Sequence, residues 1–142
     1  MKINSAASYL VFLSYLKGAQ PFTPLKLQKL LYLAQGWSFR WDNRALFPEY
    51  FEAWTYGPVN IEVYHRFKRY GRRPIPASEG GIPFDMTSDE RETLEVVWEH
   101  YKDLSSSRLV DLTHNQAPWL NAYESSGVIE NDAIRDYFQA TY

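Results

Sequence analysis

A chain of 142 residues, 45% of them hydrophobic and 17% aromatic, can bury one substantial core but not two ordinary ones. Its lack of cysteine excludes disulfides, thiolate metal ligation and a cysteine nucleophile, and suits a reducing compartment such as the cytoplasm. The net charge of −2 conceals an asymmetry: residues 1–73 carry eleven Lys/Arg and four Asp/Glu, residues 74–142 four and thirteen, so the halves either attract each other within one fold or mark a charged partner surface.

The N-terminal apolar run is interrupted by Tyr9, Ser14 and Tyr15, and no small-residue cleavage site follows, so an amphipathic first helix is expected rather than a signal peptide. Asn4 or Ser5 can cap it, with Ala6, Leu10, Leu13 and Leu16 at helical spacing. Gly18 and Pro21 end it. No stretch reaches the ~18 apolar residues of a membrane span.

Thr23 as cap and Pro24 at the first helical position predict a second helix to about Trp41. Leu27, Leu30, Leu31, Ala34 and Trp37 make one stripe of it. Leu25, Tyr32 and Phe39 lie nearly opposite, and Lys26, Gln28, Lys29 and Gln35 sit between. A helix apolar on two faces belongs at the centre of its fold. Its amide and ammonium groups then either satisfy buried backbone or meet a partner. Gln28 and Gln35 are expected to do the first. Lys29 and Tyr32 are expected to do the second, because an aromatic beside a cation suits a binding hot spot.

After a turn at "DNR" (42–44), "ALF" and "YFEAW" have strand composition around Pro48 and predict a short hairpin or extended arm. In "TYGPV", Gly57 is expected to supply an unusual backbone angle and Pro58 to fix the next, with Trp54 and Tyr56 flanking the turn. A third helix is predicted over Val59–Tyr70. Residues 71–86, with three prolines and three glycines, predict a mobile loop open to proteolysis.

Thr87 and Glu90 form a capping box for a fourth helix, with Leu94, Val97, Trp98 and Tyr101 inward and Glu92, Glu95, Glu99 and Asp103 outward. "SSS" at 105–107 caps a short helix, "PWLNAYES" starts another that Gly127 closes, and Asn131 or Asp132 starts the last, with Ile134, Tyr137 and Phe138 inward. The fold class is therefore mostly α: a single compact domain over residues 1–142, of about six or seven helices with one short β-hairpin or extended arm.

The residues offer little catalytic chemistry. His65, His100 and His114 lie far apart, without the spacing of a zinc site. Asp111 and His114, one helical turn apart, can form an acid–base pair, but at a helix end His114 is better placed to bond terminal carbonyls. Gly80–Gly81 lacks the lysine and serine of a phosphate loop. No set of groups fills every role of a reaction, so a protein that is not an enzyme, with no cofactor and no metal, is expected. The run "YHRFKRYGRR" interleaves Tyr64, Phe67 and Tyr70 with Arg66, Lys68, Arg69, Arg72 and Arg73. It is either a solvated helix face or a patch for phosphate or an acidic partner; the chain as a whole is not basic, so nucleic acid is the alternative reading.

Three motifs in order, "LKLQKLLYLAQGW", "FEAWTYGPVNIEVYHRFKRYG" and "LTHNQAPW", resemble the Panacea domain, the family of SocA-like antitoxins and phage-associated GepA-like proteins. The resemblance spans about Ser5 to Phe138. It departs at Leu33, where the family often has tyrosine, and at Asn60, where it has a hydrophobic residue. It implies a helical domain that binds and neutralises a protein toxin, commonly encoded beside it, with toxins varying widely between members. For some members it also implies delivery of the toxin to an AAA+ protease. The partner-binding residues expected from motifs and residue chemistry together are Lys26, Gln28, Lys29, Tyr32, Gln35, Trp54, Tyr56, Gly57, Pro58, Tyr64, Arg66, Arg69 and His114. His114, Pro118 and Trp119 are expected to brace the same region.

Overall fold

The computed structural model describes residues 1–142. Seven helices and three strands follow in the order α1 (Ile3–Ser14), α2 (Pro24–Asp42), β1 (Phe51–Trp54), β2 (Gly57–Val59), α3 (Ile61–Phe67), α4 (Ser88–Tyr101), α5 (Ser106–His114), α6 (Ala117–Tyr123), β3 (Val128–Ile129) and α7 (Asn131–Thr141). No helix is long and apolar enough to cross a membrane.

Helix α2 is the axis. The Thr23 hydroxyl accepts from the Lys26 backbone N–H at 3.3 Å, Pro24 opens the first turn, and Asn43 in the left-handed region (φ 53°) ends the helix. It packs against α1, α3, α4, α5, α7 and β2, and its buried residues, Lys26 to Gly36 without a break, leave no solvent face over three turns. Helix α7 crosses it at Gly36, where a Cβ would lie 2.3 Å from the Phe138 ring; only a hydrogen fits. The capping box of α4 forms as expected, with Thr87 and Glu90 exchanging bonds of 2.8 and 3.2 Å.

Several boundaries differ from the sequence expectation. Helix α1 starts at Ile3 rather than after Asn4 or Ser5. Its free N–H groups are met by distant carboxylates, Glu49 on the Ile3 N–H at 3.0 Å and Asp85 on the Lys2 N–H at 2.9 Å, which also suit the positive end of the helix. Leu16 lies beyond the helix and is exposed. Asn60 caps α3 through the Val63 N–H at 3.0 Å, so Val59 belongs to β2 instead. The hairpin forms, pairing Glu52 with Val59 and Trp54 with Gly57, and β3 adds to its other edge through Phe51 and Ile129. Two residues of β3 are too few to show an alternating pattern.

Residues 71–86 are strapped down rather than loose. Ile75 is buried, its N–H donates to the Phe22 carbonyl at 2.9 Å, and its carbonyl accepts from Tyr15 at 2.6 Å. Gly81 N–H reaches the Ser8 carbonyl at 3.1 Å. The Glu79 carboxylate receives Tyr70 at 2.6 Å, Arg69 at 2.7 Å and Arg66 at 3.5 Å. These pairs, with Arg44–Asp89 at 3.3 Å, close part of the charge asymmetry within the chain.

Candidate partner-binding groove

Every polar side chain at the centre of α2 ends on a loop, a strand or a neighbouring helix. Gln28 exchanges two bonds with the Asn60 backbone, at 2.9 and 3.0 Å. Gln35 accepts from the Leu46 N–H at 2.7 Å and donates to the Phe47 carbonyl at 2.8 Å. Tyr32 donates to Gln116 at 2.8 Å, and Lys26 to the Lys102 carbonyl at 2.6 Å. The Lys29 ammonium passes under the β1–β2 turn and donates to the Pro58 carbonyl at 2.8 Å. Burial draws the Lys29 pKa down to about 7 and pushes the Tyr32 hydroxyl well above its ordinary value. Partial burial also lowers Lys26.

The turn above Lys29 can be built only with glycine. Gly57 has φ +104°, and a Cβ there would come within 2.9 Å of Lys29 Cε and 3.1 Å of the Thr113 hydroxyl. From the other side, the Trp119 indole of α6 donates to the Trp54 carbonyl at 2.8 Å. The hairpin is thus clamped between α2 and α6.

The clamped hairpin forms one wall of an open groove of about 640 Å³. Ala53, Trp54, Thr55, Tyr56 and Val59 line that wall; Pro24 and Leu25 come from α2, Tyr64 from α3, Lys68 and Gly71 from just beyond it, and Tyr123 from α6. The Trp54 and Tyr64 rings meet at 4.9 Å and 60°, and Tyr123 stacks on Trp119 at 4.5 Å. The Trp54 indole N–H is already used by Glu52 at 3.0 Å. Tyr56, Tyr64 and Tyr123 are 67%, 39% and 49% exposed, and their hydroxyls have no partner within the chain.

The thirteen expected site residues therefore divide. Trp54, Tyr56 and Tyr64 line the groove, with Gln28 at its edge, and Gly57 and Pro58 form the turn beside it. Lys26, Lys29, Tyr32 and Gln35 are buried internal braces. For Lys29 and Tyr32 this corrects the expectation of direct partner contact: both have no exposed surface, because the face opposite the core stripe is itself covered by the hairpin, α5 and α7. Arg66 bonds the Asn4 carbonyl at 3.0 Å, Ser8 at 2.9 Å and Glu79, and Arg69 bonds Glu79 and Tyr70. Both hold the strap rather than offering free charge. His114 lies 3.5 Å from the Asp111 carbonyl and packs on Trp119 at 5.1 Å, so no imidazole–carboxylate pair forms. Groups of three or more metal-ligating side chains do not converge. Sequence reasoning missed Leu25 and Tyr123 as groove residues and had Lys68 only as part of the basic run; the spacing of Trp119 and Tyr123, four residues apart on one helix, was the available signal for Tyr123.

Residues 27–120 match the family described as antitoxin SocA-like, Panacea domain. The chain is 34% identical over 112 residues to the antitoxin SocA of Caulobacter vibrioides (strain NA1000 / CB15N), an alignment covering 70% of this chain and 58% of that protein. The chain thus spans little more than half the length of the curated relative it matches. No solved structure matches it.

Proposed function

The chain belongs to the SocA-like Panacea family, and from that premise we propose that it is an antitoxin that neutralises a cognate protein toxin by direct, non-catalytic binding in the cytoplasm. The observation that carries this reading is the groove, where three tyrosines are exposed together with their hydroxyls unpaired. Tyrosine and tryptophan side chains present large contact area at little entropic cost and dominate binding hot spots. Single exposed aromatics are ordinary; a cluster with a prepared hollow is the form that a docking surface takes.

Co-expression with the product of the neighbouring gene, scoring growth and co-purification together, tests it. Rescue with a stable complex is expected, and Tyr56→Ala with Tyr64→Ala is expected to abolish both while leaving the fold intact. A folded double variant that still rescues refutes the site. Rescue without a complex supports delivery of the toxin to an AAA+ protease instead of sequestration. The nucleic-acid alternative is weaker, because Arg66 and Arg69 are taken up by Glu79.

A further inference from the structure

The residues that line the groove carry charge of one sign only. Among its lining residues there is no carboxylate, and Lys68 is the one cation. Lys68 takes part in no ion pair, whereas Arg66 and Arg69, which flank it in the chain, are both paired with Glu79. The Arg73 guanidinium bonds only the carbonyls of Arg69 and Tyr70. The lining of an apolar groove therefore carries one unpaired positive charge, in a chain that is acidic overall, while the nearby Glu52 carboxylate is engaged by the Trp54 indole. Such a surface favours an occupant of opposite charge and repels a basic one.

The remaining walls specify the rest of the occupant. Leu25, Ala53, Val59 and the faces of Trp54 and Tyr64 offer apolar contact, while the free hydroxyls of the tyrosines offer bonds to a peptide backbone. A volume of about 640 Å³ falls in the ~300–1,000 Å³ range of ligand pockets, but those enclose most of their ligand; an open groove leaves room for a chain to enter and leave. Stacked bases are a poorer match. Trp54 and Tyr64 meet at 60° rather than as parallel platforms, and one face of Tyr123 is covered by Trp119. A nucleic-acid backbone would also need several free cations along its path.

We infer that the groove takes a short acidic segment of the partner protein, its apolar side chains seated against Trp54 and Tyr64 and a carboxylate at Lys68. This deepens the antitoxin reading and rests on it for the identity of the partner. Charge sets the orientation of the segment and the aromatic wall supplies the buried area.

A random peptide library displayed on phage, panned against the full chain and against Lys68→Glu, tests the inference. Peptides rich in Asp and Glu with Leu, Phe or Trp are expected from the wild type, and Lys68→Glu is expected to shift selection toward Lys and Arg. Binding of a synthetic wild-type winner, read by fluorescence anisotropy, should fall at least about tenfold in Tyr56→Ala and in Lys68→Glu, with thermal unfolding unchanged, and should weaken with salt. Neutral or basic winners, no winners, or a winner indifferent to Lys68→Glu overturn the inference. Displacement of the winner by a single-stranded oligothymidylate overturns it in favour of nucleic acid. Toxin neutralisation without acidic winners removes this inference and leaves the antitoxin reading standing. Acidic winners without any toxin complex do the reverse.

Discussion

Lys29 is a fully buried ammonium whose one acceptor is a backbone carbonyl, and that makes the stability of the fold depend on pH in a definite direction. Burial moves its pKa from 10.5 down to about 7. Below about pH 7 the lysine is charged in both states, and the full cost of burying it is present. Between about 7 and 10.5 the folded chain sheds a proton that the unfolded chain keeps. The unfolded state then binds more protons, so stability rises with pH. Integrating the shift from pH 7 to pH 9 gives a gain of about 2 kcal/mol. Lys26 shifts the same way, while Tyr9, Tyr32, Tyr101 and Tyr142 are all raised above their ordinary value of 10.0, so their linkage has the opposite sign and sets in above the pH 7 to 9 range. Urea unfolding followed by tryptophan fluorescence measures the gain, and Lys29→Met isolates it by keeping an apolar chain of similar shape without the charge. The wild type should become more stable from pH 7 to 9, and Lys29→Met should lose most of that slope. A flat wild-type profile, or a slope that Lys29→Met retains, refutes the assignment of a buried, largely unpaired charge.

Two further substitutions test the scaffold. Gly36→Ala should cost about 1–3 kcal/mol in thermal or urea unfolding, because the new methyl meets the Phe138 ring at 2.3 Å; an unchanged midpoint would show that α7 does not seat on α2 in this way. Glu79→Ala should release the strap, so limited proteolysis should cut residues 71–86 several-fold faster with little change in global unfolding; equal cutting rates would mean that Arg66, Arg69 and Tyr70 do not hold it.

Local signals were legible in the sequence wherever the chain solves its own problem. Thr23–Pro24, the Thr87–Glu90 box and Ser105 each satisfy helix N–H groups within three residues, and the structure follows them. Gly57 was readable for the same reason, since its backbone angle is local. Where the solution is distant, the sequence was silent. Glu49 and Asp85 serve α1 from 46 and 83 residues away, β3 pairs with β1 across nearly eighty positions, and the prolines of the strap read as mobility although Glu79 ties the strap to Arg66 of α3 and to Arg69. The groove was partly legible through Trp54, Tyr56 and Tyr64. Tyr123 joins it only because α6 folds back on the hairpin.

Lys29 and Tyr32 misled for an instructive reason, whereas Gln28 and Gln35 satisfy buried backbone as expected. A lysine on a helix ordinarily means solvent, and beside Tyr32 it read as a binding face. Here Lys26, Gln28, Lys29 and Gln35 each bond a carbonyl or N–H of another segment: Lys102, Asn60, Pro58, and Leu46 with Phe47. Backbone groups are the same whatever side chain the residue carries. The hairpin can therefore be held in place without reference to the side chains that line the groove, and Trp54, Tyr56 and Tyr64 can be exchanged without removing any bond from the α2 side chains that hold it. Under the proposed binding role, this division between a brace that bonds mostly backbone and an exposed aromatic lining is a physical route by which one scaffold could serve different partners: the lining residues can change while the fold beneath them does not.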